Sequence, residues 1–287
     1  MSAVVAWLES EDSIKSAVLF GSSCKASSID NHQDNWADID LHIITTASRR
    51  IEEVDWARVL PSEKFCMQIV RPATGGVRKA TVSFATGQID LVLVPAFQIR
   101  LARLAAFFGL HRRVHRLKDA LNELHTCIQS GYRFLKGEKE WGAFYTMIMT
   151  EMPGVRLTDD DARKMADIFL TELLLIFRRL ERGEFAAAQY SLHRSLSETN
   201  FRLLRELRLR RGQPLPSFGI ARHVETSLSP TELEWVRVNS RLERQEISSA
   251  AWRSFDGLKA LMSGLVPAWA VPPGISNLLK EYFSRPQ

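Results

Sequence analysis

Two aspartates separated by one residue, Asp38 and Asp40, open the apolar run DIDLHIIT. On a strand, alternate residues point to the same face, so the two carboxylates stand side by side. Like charges held that close repel strongly unless a cation sits between them. Hard oxygen donors with open positions suit Mg2+, which keeps waters and takes its remaining ligands from substrate phosphates. A third aspartate, Asp90, begins a second apolar run, GQIDLVLVP. If the two runs are neighbouring strands, all three carboxylates converge at one edge of a sheet. Upstream, the run SAVLF ends at Gly21-Ser22. A glycine there lets the backbone approach a phosphate closely, and a serine hydroxyl can donate to it.

These residues need a sheet to hold them, and the first hundred positions supply one. Apolar or alternating runs over 16–20, 39–45, 64–70, 77–84 and 88–94 are broken by turn residues such as Thr74-Gly75-Gly76 and Thr86-Gly87, and read as strands. A helical stretch over 52–60 stops at Pro61. From about residue 96 the apolar spacing changes to three and four, which predicts helices over 99–108, 117–128, 133–149, 162–180, 185–209, 231–241 and 250–265. Two starts carry capping signals: Thr158 with an acid three residues on, and Ser229-Pro230-Thr231-Glu232. Gly183 marks a break between two long helices. The expected architecture is α+β, with a mixed-sheet domain over 1–110 and a helical, bundle-like domain over 111–287.

Composition narrows the function classes. The 287 residues are 45% hydrophobic and 25% charged, values of a globular chain rather than a disordered or fibrous one. The net charge of +5 invites a nucleic-acid reading, but residues 1–100 carry 10 Lys and Arg against 12 Asp and Glu, so the excess lies wholly in the remainder. There, the run Arg202, Arg205, Arg208, Arg210 and Arg211 lacks the interleaved aromatics that stack bases, and reads as a solvated helix end. Three scattered cysteines predict neither a disulfide framework nor a thiolate metal site. With no basic leader and no long apolar stretch, a cytoplasmic protein without a membrane partner is expected.

The order strand–Gly-Ser, then Asp-x-Asp on a strand, then an isolated Asp on a third strand resembles the signature of the DNA polymerase beta-type nucleotidyltransferase superfamily. Within it, DNWADIDLHIIT and TGQIDLVLVP are similar to the streptomycin (aminoglycoside) 6-adenylyltransferases. The stretch from RLTDDDARKMADIFL to LLREL resembles the helical part of two-domain lincosamide nucleotidyltransferases. The resemblance implies transfer of AMP from ATP, or of another nucleoside monophosphate from its NTP, to a hydroxyl of an aminoglycoside or lincosamide antibiotic. Asp38 and Asp40 would bind Mg2+. Asp90 would bind a second metal or accept the proton of the attacking hydroxyl, and Gly21 and Ser22 would cradle the phosphates. A metabolite, a tRNA end or a protein are alternative acceptors, and a catalytically silent nucleotide-binding module is the reading from another class. The partners implied are the NTP and a small-molecule acceptor, with a homodimer allowed.

Four residues of the helical part are further candidates. Glu172 and Arg179 border the apolar stripe Phe169, Leu173, Ile176 and Leu180, where they could bind the acceptor or pair with each other. Arg182 and Arg194 could reach the triphosphate, or form exposed salt bridges to Glu181 and Glu198.

Overall fold

The structure is a computed structural model that describes residues 2–24, 38–73, 76–213 and 224–282, the side chains of Ser22, Ser23 and Tyr282 excepted. The chain divides into two compact units, Met1–Val155 and Arg156–Gln287. The fold is α+β. Its first unit holds one six-stranded mixed sheet, and its second is helical.

The strands are β1 (Ile14–Phe20), β2 (Ile39–Thr45), β3 (Phe65–Pro72), β4 (Arg78–Phe84), β5 (Gly87–Pro95) and β6 (Tyr132–Lys136), in the spatial order β3-β4-β5-β2-β1-β6. Only β2 and β5 run parallel; the other neighbours are antiparallel. The period-two alternation sorts the side chains onto two faces. Leu41, Ile43, Leu91 and Leu93 join a core with Val4 and Leu8 of helix α1 (Ser2–Ser10) and with Trp56. Ile44 and Val94 join the opposite core. That second core is closed by α4 (Ala96–Phe107), α5 (His115–Ile128) and α6 (Glu138–Glu151), through Ile99, Leu121, Trp141, Phe144 and Ile148. Two short helices, α2 (Ser48–Glu52) and α3 (Trp56–Val59), replace the single helix expected over 52–60.

The expected helix over 133–149 is divided. Tyr132–Lys136 is a strand, with Val18 opposite Phe134 and Phe20 opposite Tyr132 on β1. Gly137 then turns the chain into α6 with φ of 82°, and a methyl there would lie 2.4 Å from the Lys15 carbonyl oxygen. The dense apolar content of the segment satisfies a helical period as well as a strand, so periodicity alone misassigned its first residues. This strand and the two helices around it also extend the first unit to Val155, past the division expected at residue 110.

In the second unit, α7 (Asp159–Glu181) begins at a Thr158–Asp161 capping box and ends before Gly183. The chain continues through α8 (Phe185–Ser191), a π-helical segment Leu192–Ser197, and α9 (Glu198–Arg210). Short α10 (Val224–Ser227) and α11 (Pro230–Val236) precede α12 (Arg244–Leu265) and α13 (Pro273–Tyr282). The stripe Phe169, Leu173, Ile176 and Leu180 is buried in one core with Leu203, Leu207, Leu258 and Leu261. In the basic run, Arg202, Arg210 and Arg211 are exposed, and two members are paired within the unit. Buried Arg208 pairs with Glu232 at 2.8 Å, and Arg210 pairs with Glu206 and Asp159. No described helix is long and apolar enough to cross a membrane.

Candidate active site

The parallel pairing of β2 with β5 sets Asp40 directly opposite Asp90. Both lie on the sheet face that carries Ile44 and Val94, and Asp38, two residues back, falls on the same side by alternation. β1 ends opposite them, with Phe20 paired to Asp40. The next residue, Gly21, adopts φ of 80° and begins a 3-10 turn, Gly21–Cys24. A methyl added to Gly21 would lie 2.9 Å from Asp40 Oδ2. The strand–glycine motif therefore brings bare backbone against the first carboxylate pair. The Ser22 side chain and residues 25–37, expected to form the loop beside the phosphates, lie outside the described residues.

This contact makes a definite prediction. Gly21→Ala forces an L-residue into the left-handed region, which costs about 1–2 kcal/mol. It also presses a methyl on the Asp40 carboxylate, so any reaction that depends on the position of that carboxylate should slow at least about tenfold. Thermal melting combined with an activity assay checks both effects.

Asp90 is 6% exposed and surrounded by donors. Lys79 Nζ lies 2.5 Å from Oδ2, Thr81 Oγ1 donates to Oδ1 at 2.6 Å, and Gln88 Nε2 donates to the same oxygen at 3.2 Å. Sequence reasoning missed all three. Gln88 was legible as the same-face neighbour of Asp90 on its own strand. Thr81 and Lys79 share a face of β4 by alternation, but only the β4–β5 register, with Thr81 opposite Asp90, brings them to the carboxylate.

Behind the carboxylates the sheet face is apolar and uncharged. His42, two residues after Asp40, is hydrogen-bonded through Nδ1 to Tyr145 Oη, and both side chains are buried. Burial pulls the His42 pKa down to about 4, so its imidazole is neutral at physiological pH. Tyr145 also contacts Tyr132 and Phe134 of β6. Burial pushes the Cys127 thiol up to about 11, with the Glu123 and Asp40 charges adding to it and Lys79 opposing. Burial likewise raises Cys24, against the opposing pull of Arg133. Burial thus favours the protonated thiol over the thiolate at both cysteines.

Among the described residues, no group of three or more His, Cys, Asp and Glu side chains is arranged to hold a metal ion. The Asp38–Asp40 pair still fits a hard divalent cation, because two same-face carboxylates stand beside the bare backbone of Gly21. Asp90 does not fit equally well: three of the roughly four acceptor sites of a carboxylate are already taken.

The remaining candidates lie in the second unit: Glu172 is partly buried on α7, and the three arginines have partners within the unit. Partly buried Arg179 donates to Ser191 Oγ and to the Ala187 carbonyl at 3.2 Å, rather than pairing with Glu172. Arg182 is exposed and pairs with Glu184 at 2.9 Å, while Glu181 pairs with Arg244. Arg194 is exposed within the π-helical segment, hydrogen-bonded to the Tyr190 hydroxyl, with its guanidinium 5.7 Å from that ring's centre.

No protein-family model and no curated protein matches the chain. Among solved structures it is similar to an aminoglycoside 6-adenyltransferase from Bacillus subtilis, with 14% identity over 98% of this chain and 94% of that one, at a TM-score of 0.40. It is also similar to a nucleotidyltransferase-like protein from Exiguobacterium sibiricum 255-15, with 15% identity over 92% of this chain and 73% of that one, at a TM-score of 0.31.

Proposed function

We propose that this chain is a Mg2+-dependent nucleotidyltransferase that moves AMP from ATP to a hydroxyl of a small molecule, an aminoglycoside or lincosamide antibiotic. The observation that carries the reading is the register of β2 against β5. It sets Asp40 level with Asp90, with Asp38 on the same face and the Gly21 backbone against Asp40. The acceptor class follows from the sequence resemblance.

The chemistry follows from charge. Asp38 and Asp40 hold Mg2+, which when bound offsets the charge on the triphosphate and on the departing pyrophosphate. The Gly21 amide edge, free of a side chain, receives phosphate oxygens. Asp90 accepts the proton of the acceptor hydroxyl as its oxygen attacks the α-phosphorus. A new P–O bond forms to the acceptor, the bond from the α-phosphorus to the bridging oxygen breaks, and pyrophosphate leaves with that electron pair. The buried His42 imidazole is neutral at neutral pH and hydrogen-bonded to Tyr145, so it adds no charge of its own beside Asp40. Exposed Arg182 and Arg194 are the nucleotide-binding candidates of the second unit, and Glu172 and Arg179 its acceptor-binding candidates.

Incubation with α-labelled ATP, Mg2+ and a panel of aminoglycosides and lincosamides tests the reading. Pyrophosphate release and label transfer with one acceptor class are expected. Nucleotide binding with no turnover on any antibiotic would move the acceptor to a metabolite, a tRNA end or a protein.

A further inference from the structure

We propose that Lys79 stands where a second divalent cation would otherwise sit, so that the site works with one metal ion at Asp38–Asp40 and a built-in ammonium at Asp90. The inference rests on the nucleotidyltransferase reading and deepens it. Both Asp90 oxygens are engaged, Oδ2 by Lys79 at 2.5 Å and Oδ1 by Thr81 and Gln88. The pair is well shielded, with the Lys79 side chain 24% exposed and that of Asp90 8%. An ion pair largely withdrawn from water is costly to break from one side, because the charge left behind stays desolvated. A second metal would have to expel the ammonium to reach the carboxylate.

Two further observations agree. β4 delivers Lys79 and Thr81 on one face and two residues apart, so one strand supplies both the cation and a neutral donor. The charges of both Asp40 and Lys79 act on the Cys127 thiol, which places them in one electrostatic neighbourhood. In this arrangement Lys79 is a positioning residue. It fixes the orientation of Asp90 and leaves one acceptor site of that carboxylate for the proton of the substrate hydroxyl.

The test counts metal ions. Free Mn2+ is titrated by electron paramagnetic resonance into the full chain with a non-hydrolysable α,β-methylene ATP. Wild type should take up one Mn2+ per chain and Lys79→Met two, since the uncovered Asp90 then recruits a cation of its own. Lys79→Arg should restore the count to one. Asp90→Asn, which does not depend on how Lys79→Met folds, should leave Mn2+ affinity within about twofold of wild type, whereas loss of a true ligand or its orienting partner costs at least about tenfold. Two Mn2+ in wild type, a single Mn2+ in folded Lys79→Met, or a tenfold loss in Asp90→Asn would each overturn the proposal. Asp38→Asn separates the two levels. If it abolishes uptake while wild type binds two, only the role of Lys79 fails. If wild type shows no nucleotide-dependent uptake, or Asp38→Asn binds like wild type, the nucleotidyltransferase reading fails as well.

Discussion

Asp40→Asn should lower nucleotide transfer by about a thousandfold or more, equivalent to about 4 kcal/mol of lost transition-state stabilisation. The substitution keeps the shape of the side chain but removes half of the Asp38–Asp40 charge that would hold the metal. It acts at the point where β2, β5 and the turn after β1 meet, opposite Asp90 and against Gly21. The decisive measurement pairs a single-turnover assay over a range of Mg2+ concentrations with thermal melting. A folded Asp40→Asn protein that transfers AMP at the wild-type rate would overturn the assignment of the site. Gly21→Ala should show a smaller loss of turnover accompanied by a loss of stability, since it strains the backbone as well as crowding the carboxylate.

The largest expected effect on stability lies far from the carboxylates in sequence, at Glu206 in α9. This side chain is 1% exposed and gathers the start and the middle of the second unit. Arg156 donates to it through Nε and Nη2, the latter at 2.8 Å, the Leu157 amide donates at 3.0 Å, and Arg210 Nε donates at 3.1 Å. Arg210 in turn reaches Asp159 and the Leu265 carbonyl, which ties in α7 and the end of α12. Glu206→Ala removes the anion at the centre and leaves the Arg156 guanidinium and the Leu157 amide without their acceptor, while Arg210 keeps Asp159 and the Leu265 carbonyl. Loss of one side of a buried pair costs about 3–5 kcal/mol. The lower end is expected here, since Arg156 and Arg210 keep partial access to water.

The same network contributes to the acid sensitivity of stability. Burial by itself raises the Glu206 pKa, but hydrogen bonds from Arg156, the Leu157 amide and Arg210 outweigh it and hold the carboxyl below the ordinary range. The folded state thus binds this proton less readily than the unfolded chain. Its stabilising contribution is complete above the ordinary glutamate pKa of about 4.3 and is lost as pH falls further. Chemical denaturation between pH 7 and pH 3 should show a steeper acid decline in wild type than in Glu206→Ala. Parallel curves would remove Glu206 from the explanation.

What could be read in advance follows the range of the forces involved. β2 was placed at residues 39–45 from its alternation and β5 to within a residue, and both capping boxes were legible, because these signals span a few neighbouring residues. Apolar content misassigned β6, which is a strand only because β1 offers it an edge. The run of arginines that read as a solvated face is exposed at Arg202, Arg210 and Arg211, but Arg208 is buried against Glu232 and Arg210 pairs with Glu206, partners that nothing local announces.

The sequence by itself determined an α+β chain with a same-face carboxylate pair at Asp38 and Asp40, a glycine at the end of the preceding strand and a third carboxylate at the head of another. Period two and turn chemistry are properties of the local backbone and need no partner. Tertiary structure alone decided that Asp40 lies level with Asp90, that Gly21 abuts Asp40, and that Asp90 belongs to Lys79 and Thr81. Those facts rest on strand order and register, which hydrogen bonds between distant segments and the burial of two opposite sheet faces select together.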